Sequence, residues 1–265
     1  MFFTNTTFVG IDPTAGERPI TYAALDQQLN LLAIGKGDLE QVLAFVAGQR
    51  EALVAVCAPR KPNQGLMERA EVRRVLSPPP RPGRWLNFRL AEYQLRLRNI
   101  SSPRTPADQS LCPRWVRSGF NLYRRLEGLG YQPYPADKAT VSPFPEEDGL
   151  RQCLEVYPHA SFTILLGHSP FPKHTLEGRL QRQLILYELD LNLPNPMRFF
   201  EEITRRRLLQ GILPVEGLYL PEQLDALVAA YTGWLANSQA EQVTLLGHAE
   251  EGYVVLPAAE LKNRY

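Results

Sequence analysis

The chain has few cysteines, few lysines and no long apolar run. The first and last of these exclude certain classes of protein. Its three cysteines, Cys57, Cys112 and Cys153, are odd in number and far apart, so the sequence predicts neither a disulfide framework nor a structural zinc site. No segment approaches the roughly 18 to 20 apolar residues of a membrane span. The N-terminal segment has no basic region or small-residue cleavage site, so we expect no signal peptide, no membrane association and a cytoplasmic location.

The overall composition is that of a folded protein whose net charge identifies no partner. Hydrophobic residues make up 44% and charged residues 22% of the 265 positions, which excludes wholesale disorder. The chain has 29 basic and 28 acidic residues. No pattern in the sequence indicates an oligomeric state.

The distribution of charge is more informative than its total. Arginine outnumbers lysine by 24 to 5, and residues 69–125 hold thirteen arginines against three acids. Because arginine makes planar, two-pronged contacts with phosphates and carboxylates, this segment is a candidate surface for a polyanion. The alternative is an exposed face whose arginines pair with acids elsewhere in the chain.

Hydrophobic patterning predicts an α/β fold at the start of the chain. Three short strands separated by tight turns favour an antiparallel meander. Asp38 is a helix N-cap, and the apolar strand after that helix predicts a crossover to a position parallel to the first strand. These elements are predicted as strands at 7–12, 20–25 and 29–34, a helix at 39–46 and a strand at 52–57.

Prolines interrupt the next ninety residues. We interpret residues 60–150 as one large, mainly helical insertion within a single domain of residues 1–265, because its apolar stretches are short. Pro158 is expected to stop the strand that follows the insertion. Beyond the first five elements, the predictions are helices at 90–97 and 116–129, a loop at 133–145, a strand at 152–157, helices at 176–191, 196–209 and 221–235, and strands at 243–246 and 253–256.

Three acids fall at the positions where a site in such a sheet is expected. Asp12 ends the first strand, Glu155 lies in the strand after the insertion, and Asp225 lies in the last helix. Sites in parallel sheets gather beyond the carboxyl ends of the strands, and carboxylates there suit Mg²⁺ or Mn²⁺ in phosphodiester cleavage. The alternatives are a turn cap for Asp12, an outward-facing strand acid for Glu155 and an ordinary helix acid for Asp225.

Six short segments, spread over nearly the whole chain, carry a family resemblance. They are, in order, FVGIDPTAG, VAVCAPRKPNQG, AEYQLRLRNI, CLEVYPHASF, LDALVAAYTGWLA and HAEEGYVVLP. Together they resemble the "predicted nuclease, RNase H-like" family of bacteria and archaea, an uncharacterised family. The resemblance implies an RNase H-like mixed sheet, made of an antiparallel meander and parallel strands, with a large helical insertion.

The resemblance also implies a site. Asp12 matches the acid of the family's Gly-Ile-Asp motif, Glu155 that of its Glu-Val-Tyr-Pro motif, and Asp225 that of its helical Asp-Ala-Leu motif. These three are expected to be catalytic and to hold two Mg²⁺ or Mn²⁺ ions, with Glu92 as a fourth catalytic acid. Glu92 and Arg96 match a spacing of one helical turn, so we expect them to pair on one face.

The leading interpretation is a divalent-metal-dependent nuclease, a hydrolase of nucleic-acid phosphodiester bonds. The sequence does not choose between DNA and RNA. The residues expected to contact the nucleic-acid backbone are Arg60, Lys61, Arg96 and Arg98, and those available to stack on bases are Trp85, Trp115 and Tyr93.

Cys57 is a departure that keeps other functions open. It stands where similar proteins typically have an acid before Ala-Pro, and a thiol suits Mg²⁺ poorly. One alternative is therefore a catalytically impaired nucleic-acid-binding or scaffolding protein on the same fold. Another is a protein whose arginine face binds an acidic protein surface.

Overall fold

Eight strands form one mixed sheet in the computed structural model, which describes residues 6–14, 18–135 and 150–265. Their spatial order is β3-β2-β1-β4-β6-β8-β7, and β5 pairs with β6 beside β8. The strands are β1 (Thr7–Asp12), β2 (Ile20–Leu25), β3 (Leu31–Gly37), β4 (Ala52–Val56), β5 (Gln132–Pro133), β6 (Arg151–Val156), β7 (Thr244–His248) and β8 (Gly252–Leu256).

Strand direction changes at β1. The first three strands are antiparallel neighbours, whereas β1, β4, β6 and β8 run parallel to one another. The sheet returns to antiparallel pairing at the β7–β8 hairpin. The predicted mixed α/β fold, with an antiparallel meander joined to parallel strands, is confirmed.

Helices cover both faces of this sheet. Side-chain capping begins α1, where Asp38 accepts a hydrogen bond from the backbone N–H of Gln41 at 2.9 Å. Proline begins α5 and α9, because its fixed φ suits the first helical turn. The helices are α1 (Leu39–Ala47), α2 (Ala70–Arg74), α3 (Leu90–Leu97), α4 (Arg114–Gly128), α5 (Pro158–Leu166), α6 (Leu176–Glu188), α7 (Arg198–Glu202), α8 (Arg205–Leu209) and α9 (Pro221–Ser238).

The core has one layer on each side of the sheet. On one side α9, which is apolar over most of its circumference, packs on β1, β2 and β4 and contacts α5 and α6. On the other side α1 and α4 cover Val9, Ile11, Val54 and Val56. The helix α4 lies inside residues 60–150, so part of that segment is a layer of the main core.

Several predicted elements differ from the structure for local reasons. Pro158 does not simply end a strand, because it also begins α5. The helix predicted at 196–209 is two helices, since Thr204 leaves the helical conformation and caps α8 by accepting from the N–H of Arg207. The strand predicted at 29–34 begins at Leu31, because Leu29 adopts a φ of 61° in the preceding turn. Residues 136–145 of the predicted loop lie outside the described residues.

Within residues 6–14, 18–135 and 150–265, no helix has the length and apolar character needed to cross a bilayer.

Candidate functional site

The site begins where β1 ends. Side chains alternate between the two faces of a strand, so Val9 and Ile11 face α1 and α4, and Gly10 and Asp12 face α9. A carboxylate oxygen of Asp12 accepts a hydrogen bond from the N–H of Thr14 at 3.2 Å. This bond fixes the turn after β1, and Asp12 lines the cavity at that edge of the sheet.

A close approach of α9 to β1 brings the second acid to this edge. A Cβ atom at Gly10 would lie 1.8 Å from the carbonyl oxygen of Ala226, so only glycine permits this packing. Asp225 precedes Ala226 on α9 and is 6% exposed. The contact between strand and helix therefore places Asp225 beside Asp12.

The two carboxylates raise each other's energy in their ionised forms. The pKa of Asp12 is raised from 3.8 to about 6, chiefly by burial and next by the charge of Asp225. Cys57, the residue after β4, also lies beside both acids, and burial together with their charges raises the pKa of its thiol. Its Sγ donates to the backbone carbonyl of Asp225 at 3.5 Å, so Cys57 is a neutral, buried thiol and not an activated nucleophile.

Lys173 supplies the cation that partly offsets these acids. It lies between α5 and α6, and its Nζ is 2.7 Å from Oδ2 of Asp225. Burial lowers the pKa of Lys173, but the charge and hydrogen bond of Asp225 outweigh that effect and raise the pKa overall. The site is thus an acid pair with an ammonium group against one of its members.

These groups open into a cavity of about 570 Å³. Its walls come from the end of β1, the residue after β4, the first turns of α4 and α5, the middle of α6, the first two turns of α9, and the segment at 170–174. The acids on the walls are Asp12, Glu222 and Asp225, the cations are Arg18, Lys173 and Arg182, and the aromatic side chains are Trp115, Tyr157, Phe171, His159 and His174. A cavity of this volume is of the size that holds a small ligand.

The structure does not bring Glu155 to Asp12 and Asp225. On β6, Glu155 lies opposite Val56 of β4, which in turn lies opposite Ile11 of β1. The alternation of side chains therefore places Glu155 on the face of Ile11, and Asp12 points to the other face. The expected cluster of three acids is replaced by a pair in the cavity and a third acid across the sheet.

Glu155 and the fourth predicted acid, Glu92, instead share a buried arginine. Arg89 donates to both carboxylate oxygens of Glu155, with Nη1 and Oε2 2.9 Å apart, and its Nε donates to Oε1 of Glu92 at 3.0 Å. The N–H of Arg60 donates to Glu155 at 2.9 Å, and Thr105 donates to Glu92. Arg89, Glu92 and Glu155 are each at most 4% exposed, so this ion cluster is saturated within the protein.

The expected pair between Glu92 and Arg96 does not form within the described residues. Glu92 points inward to Arg89, and the guanidinium of the exposed Arg96 lies 5.3 Å from the ring centre of Phe88. The physical reason is that the carboxylate oxygens of Glu92 are already bonded to Arg89 and Thr105, so they are not directed at Arg96 one turn later.

The other predicted nucleic-acid contacts lie outside the cavity walls. Arg60 pairs with Glu127 at 2.6 Å, and Lys61 donates to backbone carbonyls of the β7–β8 turn. Arg98 donates to the carbonyl of Gln94 on its own helix. Of the aromatic residues predicted to stack on bases, Trp115 lines the cavity, whereas Trp85 and Tyr93 pack in a separate cluster with Phe88.

Sequence reasoning missed Lys173 and Arg182, and it gave Tyr157 no role. Lys173 lies in an irregular Pro-Phe-Pro-Lys segment, where no periodicity indicates which way a side chain faces. Arg182 is buried in α6 and donates to the carbonyl of Phe171 at 2.8 Å. Arg182 lies one helical turn before the buried Leu186, and this position on the apolar face of α6 is the sequence signal that could have found it.

The family resemblance implies two metal ions, which need more donor side chains than the cavity supplies. In the part of the chain that the structure describes, no group of three or more His, Cys, Asp or Glu side chains is placed to hold a metal ion. Asp12 and Asp225 offer carboxylate oxygens, and Cys57 offers only a protonated sulfur. The residues therefore do not fit two ions, but they fit one hard ion whose other ligands are water or phosphate oxygens.

The fold and the site together define a mixed α/β protein with a cavity that holds an acid pair at the carboxyl ends of parallel strands. Such edges are where open α/β sheets bind their ligands. The chain belongs to the family described as "Protein of unknown function (DUF429)", whose model matches residues 10–251. The expectation of an uncharacterised family is confirmed. No curated protein and no solved structure matches the chain.

Proposed function

We propose that this protein hydrolyses phosphodiester bonds of a nucleic acid, with Asp12 and Asp225 at the centre of its site. The observation that carries this proposal is the pair of adjacent carboxylates, one from a parallel strand and one from α9, facing a cavity with three cationic side chains. A buried acid whose pKa is raised by the charge of a second acid in the same cleft is typical of functional sites, because folding alone gains nothing from their proximity.

The fold supports the same proposal. Three antiparallel strands followed by parallel strands on the other side of β1 are what the RNase H-like resemblance implies. Of the three acids that the resemblance implies, the acid of the first strand is Asp12 and the acid of the closing helix is Asp225, and both line the cavity. The three buried, unpaired cysteines are consistent with the cytoplasmic location that this proposal includes.

One Mg²⁺ or Mn²⁺ ion fits the proposal, held by Asp12 and Asp225. Such an ion, when bound, supplies Lewis-acid polarisation of a phosphoryl oxygen and lowers the pKa of a water ligand. The residues of the chain contribute charge and position. Lys173 and Arg182 present cations toward the phosphate, where negative charge develops during hydrolysis, and the buried walls strengthen that interaction by excluding water.

A second candidate is a nucleic-acid-binding protein without hydrolytic activity. It is favoured by one specific observation, the placement of Glu155 and Glu92 around Arg89, which leaves two carboxylates where the resemblance implies more. The arginine-rich residues 69–125 would then bind the backbone, and binding would weaken steeply as salt concentration rises.

The test is a cleavage assay on labelled single strands, duplexes, RNA–DNA hybrids and junctions, with Mg²⁺ or Mn²⁺. We expect metal-dependent cleavage of at least one substrate, and a loss of about 100-fold or more in Asp12→Asn. The matched control is Asp190→Asn, the same substitution at an exposed position where a φ of 62° suits asparagine. Equal cleavage by wild type and Asp12→Asn, or salt-sensitive binding with no cleavage, would contradict the hydrolase and the latter would favour the second candidate.

A further inference from the structure

The cavity beside Asp12 and Asp225 is larger and more aromatic than a phosphate group requires. Its volume is about 570 Å³, and Trp115, Tyr157 and Phe171 reach it from three different elements of the chain. A phosphate gains nothing from indole, phenol or phenyl rings, whereas a nucleobase stacks on them. The walls therefore carry recognition groups of two kinds, cations for an anion and flat rings for a planar apolar group.

The acids also lie on the wall of a recess and not on an open surface. Asp225 is 6% exposed, and it shares the cavity wall with Glu222 of α9 and with the segment at 170–174. Enzymes that act on groups inside such recesses take single strands, or move a nucleotide out of the stack. The volume of the cavity suits one nucleotide and excludes a base pair with its neighbours.

We propose that this cavity binds a single unpaired nucleotide, with its base against Trp115 and its phosphate toward Lys173. The inference rests on the proposed function and narrows its substrate to single-stranded or end-frayed nucleic acid. Trp115 is the residue that selects for the base, because it is the largest ring on the walls and comes from the arginine-rich segment. Phe171, which is 53% exposed, is available as a second ring at the mouth.

Polar groups near the rings support a base as the occupant. Burial, and next the charge of Arg182, lowers the pKa of His159, so its imidazole is neutral and has one donor and one acceptor for a base edge. Its ring lies edge-on to that of Tyr157, with centres 6.2 Å apart. Thr14 and His174 complete the polar part of the wall.

The test compares two ligands that differ only in the base. Adenosine 5′-monophosphate and ribose 5-phosphate are each titrated into the full chain with Mg²⁺, and binding is followed by NMR of the three tryptophan indole N–H signals. Trp115→Phe assigns the Trp115 signal by its loss. We expect the nucleotide to bind about five-fold or more tightly than the sugar phosphate, and to move the Trp115 signal while those of Trp85 and Trp234 stay in place.

Two variants separate the base site from the fold of the protein. Trp115→Ala is expected to lose the preference for the nucleotide while still binding ribose 5-phosphate, which shows that the cavity is intact. The matched control is Trp85→Ala, because Trp85 packs against Arg73 outside the cavity, and it is expected to keep the preference. Equal affinity for the two ligands, no binding of either, or an undiminished preference in Trp115→Ala would overturn the inference.

The outcomes are distinguishable from failure of the proposed function. Cleavage that depends on Asp12 but nucleotide binding that does not involve Trp115 would leave the hydrolase and remove the base site. Nucleotide binding at Trp115 without cleavage of any nucleic acid would remove the hydrolase and retain the base site.

Discussion

Two ionisable side chains, Asp12 and Asp225, lie together in a recess of the folded protein. Asp12 and Asp225 repel each other, and the ion pair with Lys173 is made by Asp225. An arrangement of this kind weakens the fold and is retained where it serves a function. The proposed activity therefore depends on the balance of charge between the two acids and Lys173.

The pKa of Asp12 predicts how stability depends on pH. The native state holds the Asp12 proton up to about pH 6, whereas 3.8 is its ordinary value. Between these values the native state binds more protons than the unfolded chain, so the free energy of unfolding falls as the pH rises. In metal-free buffer, Asp12→Asn is thus expected to be more stable than wild type by about 1–3 kcal/mol at pH 8.

Urea unfolding at a series of pH values checks this expectation. The stability difference should grow as the pH rises from about 4 to about 6 and then level off. Asp190→Asn, at an exposed position, should show a much smaller dependence. A difference between Asp12→Asn and wild type that does not change with pH would contradict the buried, acid-paired environment of Asp12.

Arg89 has a structural role that its variants should reveal. Removing it leaves Glu155 and Glu92 buried without their cation, and breaking such a cluster costs about 3–5 kcal/mol. We therefore expect Arg89→Met to lower the free energy of unfolding by that amount in urea titrations. Arg125→Met breaks the exposed pair with Glu40 and should cost about 0–1 kcal/mol. Similar losses in the two variants would show that the Arg89 cluster is not a buried network.

The sequence predicted part of the site, and the limits have physical causes. Asp12 and Asp225 were identified because each stands at a position where strand ends and a closing helix are expected to meet. The strand that carries Glu155 is predicted correctly, and the sequence therefore groups Glu155 with the other two acids. The face on which its side chain lies depends on the register with the neighbouring strand, which no single segment specifies. Lys173 lies in an irregular loop, where no periodicity predicts the direction of its side chain.

At the scale of secondary-structure elements, the contact between β1 and α9 builds the site. This contact depends on Gly10, because the backbone of α9 fills the space where a side chain would lie. Apolar residues around most of α9 bury it against the sheet, and this packing fixes the height of Asp225 above Asp12.

Gly10→Ala tests this packing. The added Cβ would overlap the carbonyl oxygen of Ala226, so α9 must move away from β1, with an expected loss of about 3 kcal/mol or more. The control is Gly128→Ala, since Gly128 ends α4 and a Cβ there meets no atom within 4 Å. Thermal and urea unfolding measure both. A Gly10→Ala protein as stable as wild type would contradict the close approach.

Helices are predicted correctly where capping residues and apolar periodicity agree. The prediction is wrong where one residue is compatible with two structural roles. Asp38 and Pro221 begin α1 and α9 as predicted. Pro158 follows β6 and also begins α5. The first role can be read from the proline itself, whereas the second depends on whether the residues after it pack as a helix. Thr204 lies within an apolar period but caps a new helix, so one predicted helix became α7 and α8.

At the scale of the whole molecule, strand order follows from the sequence more readily than the cavity does. Short turns and one helical crossover predict the meander and the parallel strands, because they leave few topologies. The cavity combines the end of β1, the residue after β4, the segment at 170–174 and four helices, which lie far apart in the chain, and several of its lining residues lie outside helices and strands. The packing of the whole fold brings these segments together, and no local sequence pattern predicts it.

The central claim is that the Asp12–Asp225 pair, and not a three-acid cluster with Glu155, performs hydrolysis. The most direct measurement is the cleavage rate of Asp225→Asn and Glu155→Gln on the substrate that wild type cleaves, with folding checked by thermal unfolding. We expect Asp225→Asn to lose about 100-fold or more and Glu155→Gln to cleave at nearly the wild-type rate at temperatures where it is folded. Full activity in Asp225→Asn, or a folded Glu155→Gln protein that cannot cleave, would contradict the claim.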